Sequence, residues 1–133
     1  MNPAGTSGTV TIQARNATNT ADSTVGINGG VGFVASDVNR WLSLKYSSKW
    51  YATKIVTVVN PHQVTATIIG LIEDDGTPVT DLPGSAPTGG WRLGAWCDTT
   101  GYPGCVSFYQ QRRVWARTDT QPQPLWMSRA GVL

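Results

Sequence analysis

Residues 51–59 have the sequence Tyr-Ala-Thr-Lys-Ile-Val-Thr-Val-Val, and this stretch decides the fold. Its β-branched residues Ile55, Val56, Val58 and Val59 fall on both faces of an extended chain. Side chains of this kind favour strands, because they pack well on a pleated surface. A strand that is apolar on both faces is typical of a position at the centre of a sheet or between two layers. We therefore predict a central strand here.

The chain is predicted to turn back directly after this strand. Asn60-Pro61 ends it, because proline has no N–H to donate to a ladder of hydrogen bonds. Residues 64–72 follow as the predicted antiparallel partner, in a hairpin closed by residues 61–63. Upstream, residues 9–14 alternate strictly between polar and apolar side chains, which predicts a half-buried strand.

The remaining segments predict further short strands separated by turns. Residues 25–35 are broken by glycines and predict two short strands around a turn, and residues 36–46 predict a brief helical turn followed by a strand. Other strands are predicted at residues 79–82, 91–97, 105–117 and 125–128. Turns at intervals of about eight to twelve residues are typical of sandwiches and small barrels. The predicted fold class is all-β, an antiparallel β-sandwich or small β-barrel of about eight strands.

Length and composition limit the organisation of the chain. A length of 133 residues is typical of one domain. We predict a flexible N-terminal arm over residues 1–8, a sandwich or barrel domain over residues 9–117 and an extended C-terminal segment over residues 118–133. The net charge of +2 is too small to indicate nucleic acid or an anionic membrane as the partner. No apolar run reaches the roughly 18 residues of a membrane span.

The sequence offers little from which a catalytic or metal centre could be built. His62 is the single histidine and lies in the predicted turn, where a turn residue is favoured over a general base. The acidic residues 73–75 could bind Ca²⁺ together with Asp81, but the alternating carboxylates of a calcium loop are missing, which favours a solvated hairpin turn. We predict no catalytic residues, no cofactor and no metal.

Cys97 and Cys105 are the two cysteines of the chain. They either form a disulfide across a hairpin, worth roughly 2.5 kcal/mol by the chain-entropy estimate, or remain reduced thiols, the usual state in the cytosol. The sequence leaves both alternatives open. Without neighbouring histidines the pair does not form a zinc site.

The six tryptophans are the most informative feature for function, although some of them must lie in the core. Alternation along residues 91–97 places Trp91 on one face and Trp96 on the other. Alternation along residues 105–117 places Trp115 on the face of its basic neighbours. The opposite face is predicted to carry Val106, Phe108 and Val114.

The predicted function is binding, and its residues follow from this sorting. Trp, Tyr and Arg are the residues enriched at the hot spots of protein interfaces. The predicted partner-binding residues are Trp96, Tyr102, Arg113, Trp115, Arg117 and Trp126. The same aromatic set could stack on sugars. The alternation of basic and aromatic residues over 112–117 also occurs in proteins that bind single-stranded nucleic acid, but the low net charge argues against that partner.

In overall character the chain resembles small virion structural proteins of tailed bacteriophages, such as head-decoration, tail or fibre-tip modules. The resemblance rests on the small polar residues 2–8, the strands rich in Thr, Gly and Val, and the extended residues 121–127. It implies a virion location and assembly with other copies and other virion proteins, without catalysis. A lectin-like carbohydrate-binding β-sandwich module, with a cell-surface glycan as partner, is the alternative. A small hydrolase is disfavoured, because histidine and glutamate are scarce.

Overall fold

The computed structural model describes residues 1–16, 23–72, 78–98, 100–118, 120 and 122–128. Apart from two short 3₁₀ turns, the regular structure in these ranges is β-strand, and every pairing is antiparallel. The all-β antiparallel fold class predicted from the sequence is confirmed. The chain divides into two compact units, Met1–Gly94 and Ala95–Leu133, each with its own sheet.

The first unit contains seven strands within the described ranges. They are β1 (Asn2–Pro3), β2 (Thr9–Gln13), β3 (Trp41–Tyr46), β4 (Lys49–Asn60), β5 (Gln63–Ile72), β6 (Pro78–Val79) and β7 (Trp91–Leu93). Their order across the sheet is β1-β2-β5-β4-β3-β7, and β6 pairs with β5. The sheet is curled, as in small barrels and sandwiches.

β4 holds the central position that its sequence predicted. It pairs with β3 on one side and with β5 on the other, and the turn at Pro61 and His62 closes the β4–β5 hairpin. The inward side chains of Tyr51, Thr53 and Ile55 are buried in the core. β4 is therefore held in place by the burial of its inward face and by the backbone hydrogen bonds to both neighbouring strands.

The outward face of β4 is less covered than its sequence predicted. Val56 is 43% exposed and Val59 is 55% exposed, although the apolar pattern predicted a strand covered on both sides. Register shifts occur between Ala52 and Thr53, between Ile55 and Thr57 and beyond Val58. Such bulges bend a strand and re-aim its side chains, so strict alternation does not continue along β4.

The core of the first unit lies on the inner face of the curled sheet. The side chains that are fully buried there come from four neighbouring strands. They are Ile12, Leu42, Leu44, Ile55 and Val64. Trp91 and Leu93 of β7 pack against this cluster, on the shared face that alternation predicted.

Residues 25–35 differ from the prediction of two short strands. They form a turn followed by 3₁₀ turns at Asn28–Gly30 and Ala35–Asp37. The glycines take positive φ angles, among them Gly26 and Gly32. A left-handed backbone breaks the extended conformation that alternation requires, so this segment covers the core as a loop. The helical turn expected near residue 36 is present as the second 3₁₀ turn.

A buried ion pair holds this loop in place. The Asp37 carboxylate is fully buried and lies 2.7 Å from the Arg40 guanidinium. It also accepts hydrogen bonds from Asn28 Nδ2 at 2.7 Å and from the Val34 N–H at 2.9 Å. Arg40 in turn donates from Nε to the carbonyl of Gly94 at 2.5 Å. Each charge is thus paired and hydrogen-bonded, as burial requires.

We expect Asp37→Asn to destabilise the protein by about 3 kcal/mol, because it leaves the Arg40 guanidinium buried without a counter-charge. The midpoint of urea unfolding, followed by far-UV circular dichroism, measures the change in free energy. Asp81→Asn is the matched control, since Asp81 is exposed, and it should stay within about 0.5 kcal/mol of the parent protein. Equal effects of the two substitutions would contradict the role assigned to Asp37.

The prediction of a flexible arm over residues 1–8 is wrong. β1 pairs with β2, in a register that places Asn2 opposite Gln13 and Pro3 opposite Ile12. The Met1 side chain is buried in the core, and its amino group donates a hydrogen bond to a carbonyl at 2.7 Å. Burial lowers the pKa of this amino group below its usual value. Small polar composition indicated an arm, but a pairing partner distant in sequence decides the conformation.

The second unit contains a three-stranded sheet among its described residues. Its strands are β8 (Cys105–Tyr109), β9 (Arg112–Ala116) and β10 (Leu125–Met127), in the order β10-β9-β8. The sequence predicted one long strand over residues 105–117, and this prediction is wrong. The chain reverses at Gln110 and Gln111, whose φ angles are 46° and 59°. A two-residue turn with positive φ at both positions matches the right-handed twist of a hairpin.

The predicted boundary at residue 117 is also displaced. β10 comes from the segment that was expected to run extended beyond the domain, and it pairs with β9. The boundary between the two compact units lies between Gly94 and Ala95 instead. The predicted strand over residues 91–97 is accordingly short: β7 ends at Leu93, and Cys97 forms an isolated bridge with Gly101.

The turn of the β8–β9 hairpin supplies a second prediction. Left-handed backbone costs about 1 kcal/mol or more for residues other than Gly and Asn. We expect the double substitution Gln110→Asn with Gln111→Gly to raise the free energy of unfolding of the second unit by about 1 to 2 kcal/mol, seen as a higher melting temperature. Gln123→Asn, exposed and without a positive φ, is the control and should give no gain. A lower melting temperature of the double variant would contradict the turn.

Candidate partner-binding surface

The six residues predicted to bind a partner all lie in the second unit. β9 carries Arg113 and Trp115, and β10 carries Trp126 directly opposite Trp115. The other members flank these strands: Trp96 and Tyr102 precede β8, and Arg117 follows β9. Alternation assigned Trp96 and Trp115 each to a face of its own predicted strand, whereas the structure brings the three tryptophans together through cross-strand pairing and a loop.

Three indole rings form a packed cluster. The ring of Trp96 lies 5.5 Å from that of Trp115 at 62° and 5.7 Å from that of Trp126 at 87°, measured between centroids and ring planes. All three residues are half-buried. Edge-to-face contacts of this kind are favourable in their own right, because the positive ring edge meets the negative ring face. The rings therefore pack on one another and do not form the flat row that a sugar-stacking platform needs.

The Trp96 indole carries one polar atom without a partner. Its Nε1 is buried and has no hydrogen-bond acceptor among the described residues. A buried donor left unpaired costs about 1 to 3 kcal/mol. The contacts of the ring must offset this cost, so the position of Trp96 depends on aromatic packing.

Of the polar members of the predicted set, Arg113 contacts an indole of this cluster. Arg113 lies with Cζ 5.8 Å from the ring centroid of Trp115, at the limit of a cation–π contact. Tyr102 is exposed and donates from its hydroxyl to Asp98 Oδ1 at 3.2 Å. Partial desolvation and this carboxylate raise the pKa of Tyr102 above its ordinary value. Arg117 is exposed and has a φ of 45°. A cationic group is thus available beside the Trp115 indole.

An exposed apolar strand was missed by sequence reasoning. All five residues of β8 are exposed, and Val106, Phe108 and Tyr109 are 58%, 65% and 59% exposed. The predicted long strand placed Val106 and Phe108 opposite to the face of Trp115. In the hairpin register Val106 pairs with Trp115 and Phe108 with Arg113, so they share its face. The residues Gln110-Gln111 carry no recognised turn signal that could have revealed the reversal.

The two cysteines do not form a disulfide in the structure. Cys97 is buried, and its Sγ lies 3.4 Å from Thr100 Oγ1. Cys105 is exposed at the start of β8 and pairs across the hairpin with Ala116.

The other candidates from the sequence lie in the first unit. His62 is in the β4–β5 turn, where its N–H donates to Asn60 Oδ1 at 3.1 Å and its carbonyl accepts from the Ala14 N–H at 2.8 Å. These backbone contacts agree with a turn residue. The acidic residues 73–75 lie outside the described ranges. Among the described residues, no group of three or more His, Cys, Asp or Glu side chains could hold a metal ion.

The outer face of the first unit carries a further aromatic residue with cations on it. Trp50 of β4 lies under Arg92, whose Cζ is 4.4 Å from the ring centroid, and Lys45 Nζ is 5.8 Å away. Lys45 is the cross-strand partner of Trp50, and β7 brings Arg92 beside them. The cations occupy the indole that a ligand would need for stacking, and this arrangement is therefore explained within the fold.

Comparison with protein families, with curated proteins and with solved structures gives no match for this chain. Within the described part of the chain, no helix has the length and apolar character needed to cross a membrane.

The tryptophan cluster supplies a third prediction. We expect Trp96→Ala to destabilise the second unit by about 3 kcal/mol, because it removes the ring that contacts both other indoles. Trp96→Phe retains a ring and removes the unpaired N–H, so its cost should be smaller, about 1 kcal/mol. Thermal unfolding followed at the far-UV exciton band of coupled indoles measures both effects.

Trp41→Ala is the control for this experiment. Trp41 is 48% exposed on β3 of the first unit. Its substitution should leave the exciton band in place. A band that disappears with Trp41 and survives in Trp96→Ala would contradict the cluster.

Proposed function

We propose that this chain is a non-enzymatic assembly protein of the virion structural type, which acts through protein–protein contacts with copies of itself and with other virion proteins. The observation that carries the proposal is β8, an edge strand with five exposed residues that include Val106, Phe108 and Tyr109. An exposed, apolar edge strand is a template on which another protein chain can pair.

The composition of β8 supports this proposal, because it lacks the features that normally protect an edge. Its sequence Cys-Val-Ser-Phe-Tyr contains no charged residue and no proline. The strands that end the sheet of the first unit differ: β1 is two residues long and contains Pro3, and β7 is three residues long and carries Arg92. Short edges with proline or charge avoid pairing. The five-residue edge β8 thus lacks the protection that the edges of the first sheet have, which is typical of an interface.

The size of the second unit supports the proposal in a different way. Ala95–Leu133 is a span of only about 40 residues, the range below which disulfides, metals or oligomerisation are usually needed for stability. Its buried apolar residues in the described ranges are Cys97 and Val114. The two cysteines form no disulfide. Contacts with other chains would bury apolar surface that this unit leaves exposed, and they would therefore stabilise it.

The border of the sheet offers the side chains that anchor interfaces. Trp126 and Trp115 lie next to each other, and Arg113 places a cationic donor beside Trp115. Aromatic residues and arginine dominate binding energies at the centre of protein interfaces. The alternative, a carbohydrate-binding module, has less support, because the indoles pack edge to face.

Sedimentation velocity on the purified chain over a range of concentrations tests the proposal. We expect reversible self-association that is lost in Phe108→Lys, because a charge at this position opposes burial of the edge. Val25→Lys is the matched control: Val25 is also exposed, at 80%, but lies in the first unit. Mass spectrometry of particles from the source that encodes the chain should find it in a fixed ratio to the other particle proteins.

A chain that stays monomeric at every concentration and is absent from particles would contradict this function. Quenching of tryptophan fluorescence by a polysaccharide would then favour the carbohydrate-binding alternative.

A further inference from the structure

We propose that β8 pairs with β8 of a second copy of the chain, antiparallel and across a two-fold axis that passes beside Ser107. The proposal rests on the assembly function above and specifies the strand, the partner and the register of the contact. Such a pairing is isologous, since the same five residues contribute from both copies. It joins two three-stranded sheets into one sheet of six strands.

The backbone of the hairpin shows which groups of β8 are available for this pairing. The Arg113 carbonyl accepts from the Ser128 N–H at 2.9 Å, and the Arg113 N–H donates to Ser128 Oγ at 2.9 Å. Both groups of Arg113 therefore face away from β8. Phe108 is its cross-strand partner, so this pair is of the non-hydrogen-bonded type. By alternation, the N–H and C=O groups of Phe108 and Val106 point outward from the sheet edge.

The register follows from these outward groups. In this register Ser107 of one copy lies opposite Ser107 of the other. Val106 of each copy then lies opposite Phe108 of the other copy. The outward groups of Val106 and Phe108 then form hydrogen-bonded pairs. Cys105 lies opposite Tyr109 of the second copy. A register centred on Val106 or on Phe108 leaves part of the strand unpaired, whereas the Ser107 register uses its whole length.

The side chains of β8 complement themselves in this register. An aromatic residue opposite a β-branched residue is a favourable cross-strand pair, and the two-fold axis makes the Val106–Phe108 pair twice. Both residues share the face of Trp115, so pairing extends the apolar surface around the indoles of each copy. β8 carries no charge, and like charges are therefore not brought together. The β8 strand of a second copy is therefore complementary to this edge.

The expected strength follows from the length of the strand. Five residues extend for about 17 Å. A single pair of such strands buries less than the roughly 1,200 Å² of a standard stable interface. We therefore expect a weak, concentration-dependent dimer, of the kind that becomes persistent when several contacts act together in an assembly.

Cysteine cross-linking tests the register. Ser107→Cys in a Cys105→Ser background places two thiols opposite each other at a non-hydrogen-bonded pair, where the Cα separation of about 4.5 Å permits a disulfide. Oxidised glutathione accepts the two electrons of the thiols and is itself reduced. We expect the cross-linked dimer to form at least about tenfold faster than in Ser85→Cys, an exposed loop serine in the same background.

A second variant tests the same register without a cysteine at its centre. Tyr109→Cys should cross-link to the native Cys105 of the second copy, while the parent chain, with Cys105 opposite Tyr109, should not cross-link through this edge. The two thiols of one chain lie on the same strand four positions apart, too distant to bond with each other.

The outcomes separate this inference from the function on which it rests. Self-association in sedimentation with no preferential cross-linking of Ser107→Cys or Tyr109→Cys overturns the β8 pairing and leaves the assembly function standing. A monomer that assembles only with other virion proteins does the same. A chain that neither associates nor enters a particle overturns both.

Discussion

The pairing of β4 with its two neighbours is the constraint on which the first unit depends. β4 contributes Tyr51, Thr53 and Ile55 to the core. It pairs with β3 along one edge and with β5 along the other. β2 attaches to β5, β1 attaches to β2, and β7 attaches to β3, so each remaining strand of the main sheet is held through β4. A β-branched sequence at the centre of the sheet thus determines where every other strand of this unit can lie.

This central strand was predictable because its signal is local. Ile55 and Val58 favour extended backbone by their own rotamers, and Asn60-Pro61 marks the end of the strand without reference to the rest of the chain. The same holds for β2, β3 and β5. The arm was not predictable on these grounds, because Met1 and Asn2 are ordered by β2 and by Thr88, whose distance along the chain leaves no trace in local composition.

The candidate surface remains a prediction from the sequence, and the structure shows how its residues are arranged. The identity of its residues came from their types, since Trp, Tyr and Arg anchor interfaces wherever they are exposed. Their arrangement could not be predicted, because the reversal at Gln110 and Gln111 inverts the side-chain parity of β8 relative to β9. A one-residue error in register assigns every side chain of a strand to the opposite face of the sheet. This explains why Val106 and Phe108 were placed opposite Trp115 and why the apolar edge was overlooked.

The β8–β9 turn and the exposed edge strand β8 both affect the stability of the second unit. Gln110 and Gln111 hold a left-handed backbone that their side chains do not favour, and the sheet that they close has few buried apolar residues. Such a hairpin gains little from local preference, so contacts that bury its exposed apolar surface would stabilise it. Pairing at β8 adds hydrogen bonds to Val106 and Phe108 and removes apolar surface from water, but only when the hairpin is formed. Binding to the folded form alone stabilises it by mass action. In the proposed assembly, folding of the second unit and association of the chain would be one linked equilibrium, in which the exposed edge is costly for an isolated copy and stabilising in the paired state.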